Sequence, residues 1–227
     1  LMLCSFLLVS ISQASTLYLS DVGVRGFSRG GAFIAGANDI SAHWYNPAAF
    51  TRIRGGSFTM HHSGVQQFVT FDRNEYPGEM FDSDGNEIEN SAVSNQASPK
   101  YIPHLGATYD FGLQNATLYV GLTTPFGVDF QYPETGAQRY SLINSSVIQT
   151  FAGPAFAYRF ADWVSVGASV SWSTMAVSQS REISMYLTTL EEEAKDIENP
   201  KYDVGFDLNV QQMDAIAWNI GTLIEPP

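Results

Sequence analysis

One stretch constrains the fold of this chain more than any other. In VSVGASVSWS, Val164, Val166, Ala168, Val170 and Trp172 alternate with Ser165, Gly167, Ser169, Ser171 and Ser173. A period of two sends successive side chains to opposite faces, so this is a β-strand with one apolar and one small polar face. The apolar face has to meet either a protein core or lipid, and the two choices lead to different proteins.

The alternation recurs along the chain. Leu105, Ala107, Tyr109 and Phe111 alternate with Gly106, Thr108 and Asp110. Ala116, Leu118, Val120 and Leu122 alternate with Thr117, Tyr119, Gly121 and Thr123. Phe156, Tyr158 and Phe160 oppose Ala155, Ala157 and Arg159, which puts Arg159 on the polar face. Tyr202, Val204, Phe206, Leu208 and Val210 form one more apolar row, and Ile216 to Ile224 continue it in a looser form. Connections alternate too. Phe111–Asn115 and Phe160–Trp163 are short, whereas Asp72–Lys100, Gly127–Ser141 and Gln179–Lys201 are long. Tight turns at one end and long loops at the other are the connectivity of an outer-membrane barrel. Aromatic residues gather at strand ends, among them Tyr109, Phe111, Phe126, Phe130, Tyr158, Phe160 and Trp163. Interfacial girdles put them there.

Composition favours lipid as the cover. A soluble sandwich carries charge on its outward faces, but only 15% of these residues are charged while 13% are aromatic. Soluble domains carry about 25% charged residues. The expected fold class is therefore all-β, a transmembrane antiparallel β-barrel. The rival is a secreted or periplasmic ligand-binding β-sandwich, with the same apolar face turned inward. A net charge of −12 argues against a nucleic-acid partner, which needs a basic patch.

The N-terminus, LMLCSFLLVSISQAS, is apolar but too short to span a bilayer as a helix. Ser12 and Ala14 are small residues where a signal peptidase reads, so residues 1–14 are expected to be the end of a secretory signal whose charged start lies upstream. The one cysteine, Cys4, falls inside it. A mature chain without cysteine gains nothing from disulfides.

A Gly- and Ala-rich segment follows, GVRGFSRGGAFIAGANDISAHWYNPAAF, from Gly23 to Phe50. Asn46 is a good N-cap and Pro47 suits a first helical position, so Asn46-Pro47-Ala48 should start a short helix. This segment, ending in Asn-Pro-Ala between a signal and a barrel-like run, resembles the FadL/TodX (OmpP1) family of outer-membrane transporters for long-chain fatty acids and other hydrophobic compounds. The resemblance continues through GLTTPFGVDFQYPETGAQRYSLINSSV and GPAFAYRFADWVSVGASVSW.

The resemblance implies a Gram-negative outer-membrane barrel of about fourteen strands, plugged by an N-terminal hatch and monomeric at full length. Residues 15–51 would be the hatch, with Asn46, Pro47 and Ala48 as its motif. Residues 52–227 would be the first five to six strands, so the barrel is incomplete and the chain is expected to be a fragment. The ligand would be a hydrophobic small molecule, a long-chain fatty acid or an aromatic or alkane hydrocarbon, that leaves sideways into outer-membrane lipid through a kink in the third strand. Gly121, Pro125 and Gly127 are the kink candidates. Alternatively, Pro125 and Gly127 merely start a loop. Phe126, Phe130 and Arg159 are candidate ligand contacts. In LTTLEEEAKDIE, Leu187 and Leu190 share an apolar helix face that either forms an entry site or packs on the rim. A family member serving as an assembly or secretion partner, without transport, is the other alternative.

No enzyme, cofactor or metal site is expected. Gly26-Phe27-Ser28-Arg29-Gly30 fits G-x-S-x-G, but no strand precedes it to build an oxyanion donor. Asp82 to Glu87 fails the full calcium-loop spacing. His61 and His62 are adjacent in a strand, point to opposite faces, and should not chelate one ion.

Overall fold

The computed structural model of the chain describes residues 22–72, 92–136, 138–185 and 202–226. Six strands form one antiparallel sheet in the order β1 (Ser57–Val65), β4 (Lys100–Tyr109), β5 (Ala116–Gln131), β6 (Asn144–Ala161), β7 (Val164–Ser184) and β8 (Asp203–Ile224). Two short strands, β2 (Thr70–Phe71) and β3 (Val93–Ser94), pair apart from it. The fold is all-β, an open arc of barrel wall. Among the described residues no helix is long and apolar enough to cross a membrane.

An N-terminal segment lies on one face of this sheet, here called the inner face. It contains α1 (Val24–Phe27), α2 (Ala42–Tyr45) and a 3-10 helix (Pro47–Arg52) packed against β5, β6, β7 and β8. Its apolar residues Phe33, Ala49 and Phe50 bury against Tyr119, Ala155 and Ala157 of the wall. Phe50 stacks on Tyr119 with ring centroids 4.6 Å apart. Small residues at 153, 155, 157 and 167 leave room for that approach.

The faces of β7 answer the question raised by its alternation. Ser165 is 1% exposed and Ser171 5%, whereas Val170 is 53% and Trp172 59% exposed. Polar side chains are buried under the N-terminal segment and apolar ones face outward. A soluble sandwich requires the reverse, so that alternative fails. At the short-turn end, Tyr109 meets Phe111 and Tyr158 meets Phe160 edge-to-face at 4.8 and 4.9 Å, exposed as a girdle requires.

Two expectations drawn from alternation need correction, both because of β-bulges. In β5 the register jumps from Thr123↔Phe151 to Phe126↔Gln149, so Thr124 and Pro125 together oppose Thr150. In β8, Met213 and Asp214 together oppose Thr174. One extra residue reverses the faces beyond it. The third strand therefore runs on through Pro125 and Gly127 to Gln131 instead of ending in a loop at Gly127. Phe126 and Phe130 lie on the inner face, outside any girdle. Val204, Phe206, Leu208 and Val210 do not continue the row of Ile216 and Trp218 but face the opposite way.

Candidate functional site

The Asn-Pro-Ala turn is where the N-terminal segment is fastened. Asn46 Oδ1 accepts from the Ala48 amide at 3.1 Å, capping the 3-10 helix, and Asn46 Nδ2 donates to the carbonyl of Thr222 on β8 at 3.1 Å. One side chain thus starts the helix and ties it to the wall. A Cβ on Gly167 would collide with the backbone of Pro47 and Ala48, so at this position only glycine lets the two chains touch. The serine row of β7 serves the same junction. Thr51 Oγ1 lies 3.1 Å from Ser165 Oγ, and His43 Nε2 lies 2.8 Å from Ser171 Oγ. From β8, Asn219 Nδ2 donates to the Trp44 carbonyl at 3.2 Å.

Burial pushes the His43 pKa down to about 4. The docked segment therefore favours neutral imidazole, while the undocked one titrates near the ordinary 6.5. As pH falls from 6.5 toward 4, only the undocked form gains a proton, so docking weakens. Protease accessibility of the segment should rise between pH 7 and pH 4.5, and His43→Gln should flatten that rise.

Arg159 is not placed to meet a ligand in the apolar part of the site. It sits near the short-turn end and donates to the carbonyl of Thr51 at 3.2 Å. Its neighbour Arg52 pairs with Glu225 at 2.9 Å and donates to the Ala35 carbonyl at 2.7 Å. Both arginines hold the segment to the end of the wall. A carboxylate or carbonyl already beside a guanidinium is the usual partner that burial demands.

The β5 bulge opens the wall. Strands β4 and β5 pair only from Tyr109↔Leu118 to Leu105↔Leu122, and no pairing follows beyond. The Thr124 amide donates to His104 Nδ1 at 3.4 Å, and that nitrogen lies 2.9 Å from Thr123 Oγ1. Farther along, the Asp129 amide donates to Gln67 Oε1 at 3.3 Å and the Gln131 amide to Asn95 Oδ1 at 2.9 Å. Side chains take over acceptor duty where β4 no longer pairs, and the Gln96 amide donates to the Gln131 carbonyl at 2.8 Å. Of the three kink candidates, Pro125 sits in the bulge. Gly121 stays in register between Gly106 and Gly153, and Gly127 stays opposite Ile148.

Behind the bulge is a cavity of about 400 Å³ whose lining includes Val22, Phe27, Val65, Ile102, Thr124 and Pro125. Beyond it, Phe126 meets Trp44 edge-to-face at 5.9 Å, and Trp44 lies 5.5 Å from Phe151. Phe126 is turned inward by the bulge. Phe130 shares its face but is not part of this cluster. Leu187 and Leu190 lie outside the described residues, as do residues 1–14 and Asp82 to Glu87. His61 and His62 do point to opposite faces, the first half-buried and the second exposed. Trp44, Phe151, His104 and Gly167 escaped sequence reasoning. For Gly167 a signal existed, since it is the one glycine in a row of serines. For His104 there was none, because nothing local marks a residue that caps a bulge on the next strand.

Comparison with known proteins fits this geometry. Residues 5–227 match the family described as outer membrane protein transport protein (OMPP1/FadL/TodX). Among solved structures, a Pseudomonas aeruginosa FadL homologue superposes with a TM-score of 0.68 at 14% identity, covering 93% of this chain and 50% of that one. The CymD monoaromatic hydrocarbon channel superposes with a TM-score of 0.52 at 16% identity, covering 92% of this chain and 49% of that one. The chain spans about half the length of the solved structures it matches. No curated protein matches it. The chain belongs to the OMPP1/FadL/TodX family.

Proposed function

We propose that this family member supplies the plug and part of the wall of an outer-membrane passage for hydrophobic small molecules. Residues 15–51 act as the hatch and residues 52–227 as the first strands of the barrel, in the outer membrane of a Gram-negative bacterium. The observation that carries the reading is the β5 bulge. It ends β4–β5 pairing, it is backed by an apolar cavity, and it lies next to the Trp44, Phe126 and Phe151 cluster. A molecule held among those rings has an opening in the wall beside it. It can then pass into lipid without crossing water, which for an alkyl chain avoids roughly 0.8 kcal/mol per CH₂ exposed. The passage is lined by ring edges and aliphatic groups, so long-chain fatty acids and aromatic or alkane hydrocarbons are the substrate classes it suits.

The test uses the complete protein in outer-membrane vesicles, with a labelled long-chain fatty acid and toluene as competitor. Uptake is expected. Asn46→Ala should reduce it several-fold while leaving the barrel folded, because the cap and the tie to Thr222 are lost together, about 1–2 kcal/mol at the hatch. Strong competition by toluene would widen the substrate class to aromatics. A folded barrel that takes up neither compound would sink the transport reading and leave an assembly or secretion partner.

A further inference from the structure

The two bulges sit beyond one ladder row. Thr123 pairs with Phe151, Phe151 with Ser173, and Ser173 with Ala215. Just past this row come Thr124 and Pro125 in β5 and Asp214 and Met213 in β8. The chemistry of the outer face changes there. On the turn side of the row, outer-face residues of β7 and β8 are apolar apart from Thr222, and include Val170, Trp172, Trp218 and Ile220. Past it, the outer face carries Ser178, Ser180, Gln211, Asn209 and Asp207. The inner face changes the opposite way. Ser169, Ser171 and Asn219 give way to Val177, Val210, Leu208 and Phe206, with Arg181 5.3 Å from the Phe206 ring on that face.

We infer that on β7 and β8 the bilayer ends at Trp172 and Ile216, and that these two strands stand in water on their outer face beyond that height; strands tilted by about 40° carry the boundary to a different height on β5. The inference rests on the outer-membrane reading above. The length of the apolar stretch supports it. Val164–Trp172 and Ile216–Ile224 are each nine residues, and a tilted transmembrane strand needs about 9–11. Nine residues rise about 30 Å along a strand and about 23 Å along a barrel axis at a tilt of about 40°, close to the usual apolar band of about 25 Å. The other edge of the band is fixed independently by Tyr158, Phe160 and Trp163 at the turns. Lipid thus covers one half of β7 and β8. The remaining half, Thr174–Ser184 in β7, extends outward with reversed amphipathicity.

The reversal also explains why a bulge sits in β8. Without the extra residue, Val204 to Val210 would continue the outer row and face water. With it they turn inward, while Asn209 and Asp207 turn out. β7 makes the same switch by sequence alone, with serines moving from the inner to the outer face past Ser173.

The experiment places single cysteines on the outer face of the full-length protein at Val170, Ile220, Ser178 and Asn209. Each is labelled with a nitroxide and reconstituted in dioleoylphosphatidylcholine vesicles. Collision rates with oxygen, which partitions into lipid, and with a water-soluble nickel chelate are compared. Each variant is first checked for heat-modifiable gel migration, so that an unfolded one is replaced by its neighbour two residues along. Labels at 170 and 220 should favour oxygen at least threefold, and those at 178 and 209 should favour nickel. If all four favour oxygen, the wall is immersed throughout and the boundary is wrong although the membrane reading stands. If all four favour nickel, the outer face is not lipid-covered and both readings fall.

Discussion

Replacing Gly167 by leucine should detach the Asn46–Pro47–Ala48 turn from the wall. The Pro47 carbonyl oxygen would lie 2.6 Å from the new Cβ, and backbone atoms of Pro47 and Ala48 lie closer still. Neither side can yield cheaply. Gly167 pairs with Ala157 on one flank and Gly221 on the other, so its strand is pinned. The turn is pinned by Asn46 to Thr222 and by Thr51 beside Ser165. Overpacking typically costs 1–3 kcal/mol when side chains can adjust; between two backbones the cost here should be about 3 kcal/mol or more. The segment then swings away, and in the complete barrel the plug opens. Protease should reach the segment, and ion conductance across a planar bilayer should rise by about tenfold or more. Gly221→Ala should act more weakly, because there the clash is with the Asn46 side chain, which can rotate. Unchanged conductance and protection in Gly167→Leu would mean that this contact does not hold the plug.

How much of this was legible depends on the physics of each feature. Val164 to Ser173 was readable in full because strand geometry is local: alternation fixes the faces, and the low charge content points to lipid on the apolar one. Asn46-Pro47-Ala48 was readable for the same reason, since a cap and its helix lie within three residues. The bulges were not. Leu118, Val120, Leu122 and Phe126 share one parity in the sequence, yet Thr124 and Pro125 put Phe126 on the other face. A bulge is a relation between two strands, set by which partner residue is skipped, and a single sequence does not record that. Pro125 did hint at a break, since a proline cannot donate to a ladder. Met213-Asp214 carried no such hint. Arg159 shows a related limit. Its face was legible in the alternation, but its height along the strand was not. Near the short-turn end it meets the Thr51 carbonyl of the N-terminal segment.

Deleting Pro125 should abolish uptake, whereas Pro125→Val should leave most of it. The deletion removes the extra residue, so strand β5 must take one register throughout. Its lower half cannot turn over, because Tyr119 is stacked on Phe50 and Gly121 lies against the backbone of Leu105. The upper half turns instead. Phe126 leaves Trp44 and faces outward with Phe130, while Asp129 turns inward. Phe126 thereby loses its ring contacts with Trp44 and Phe151. The Thr124 amide no longer needs His104 as acceptor, and β4 can pair upward from Leu105 toward Lys100. That pairing closes the gap in the wall. A substitution to valine keeps the residue count, so the bulge, the inward Phe126 and the opening remain. Uptake of labelled fatty acid by the complete protein should fall at least tenfold in the deletion and less than twofold in Pro125→Val. Uptake maintained by a folded deletion variant would show that molecules do not leave through this opening. The bulge would then serve only to turn Phe126 toward Trp44.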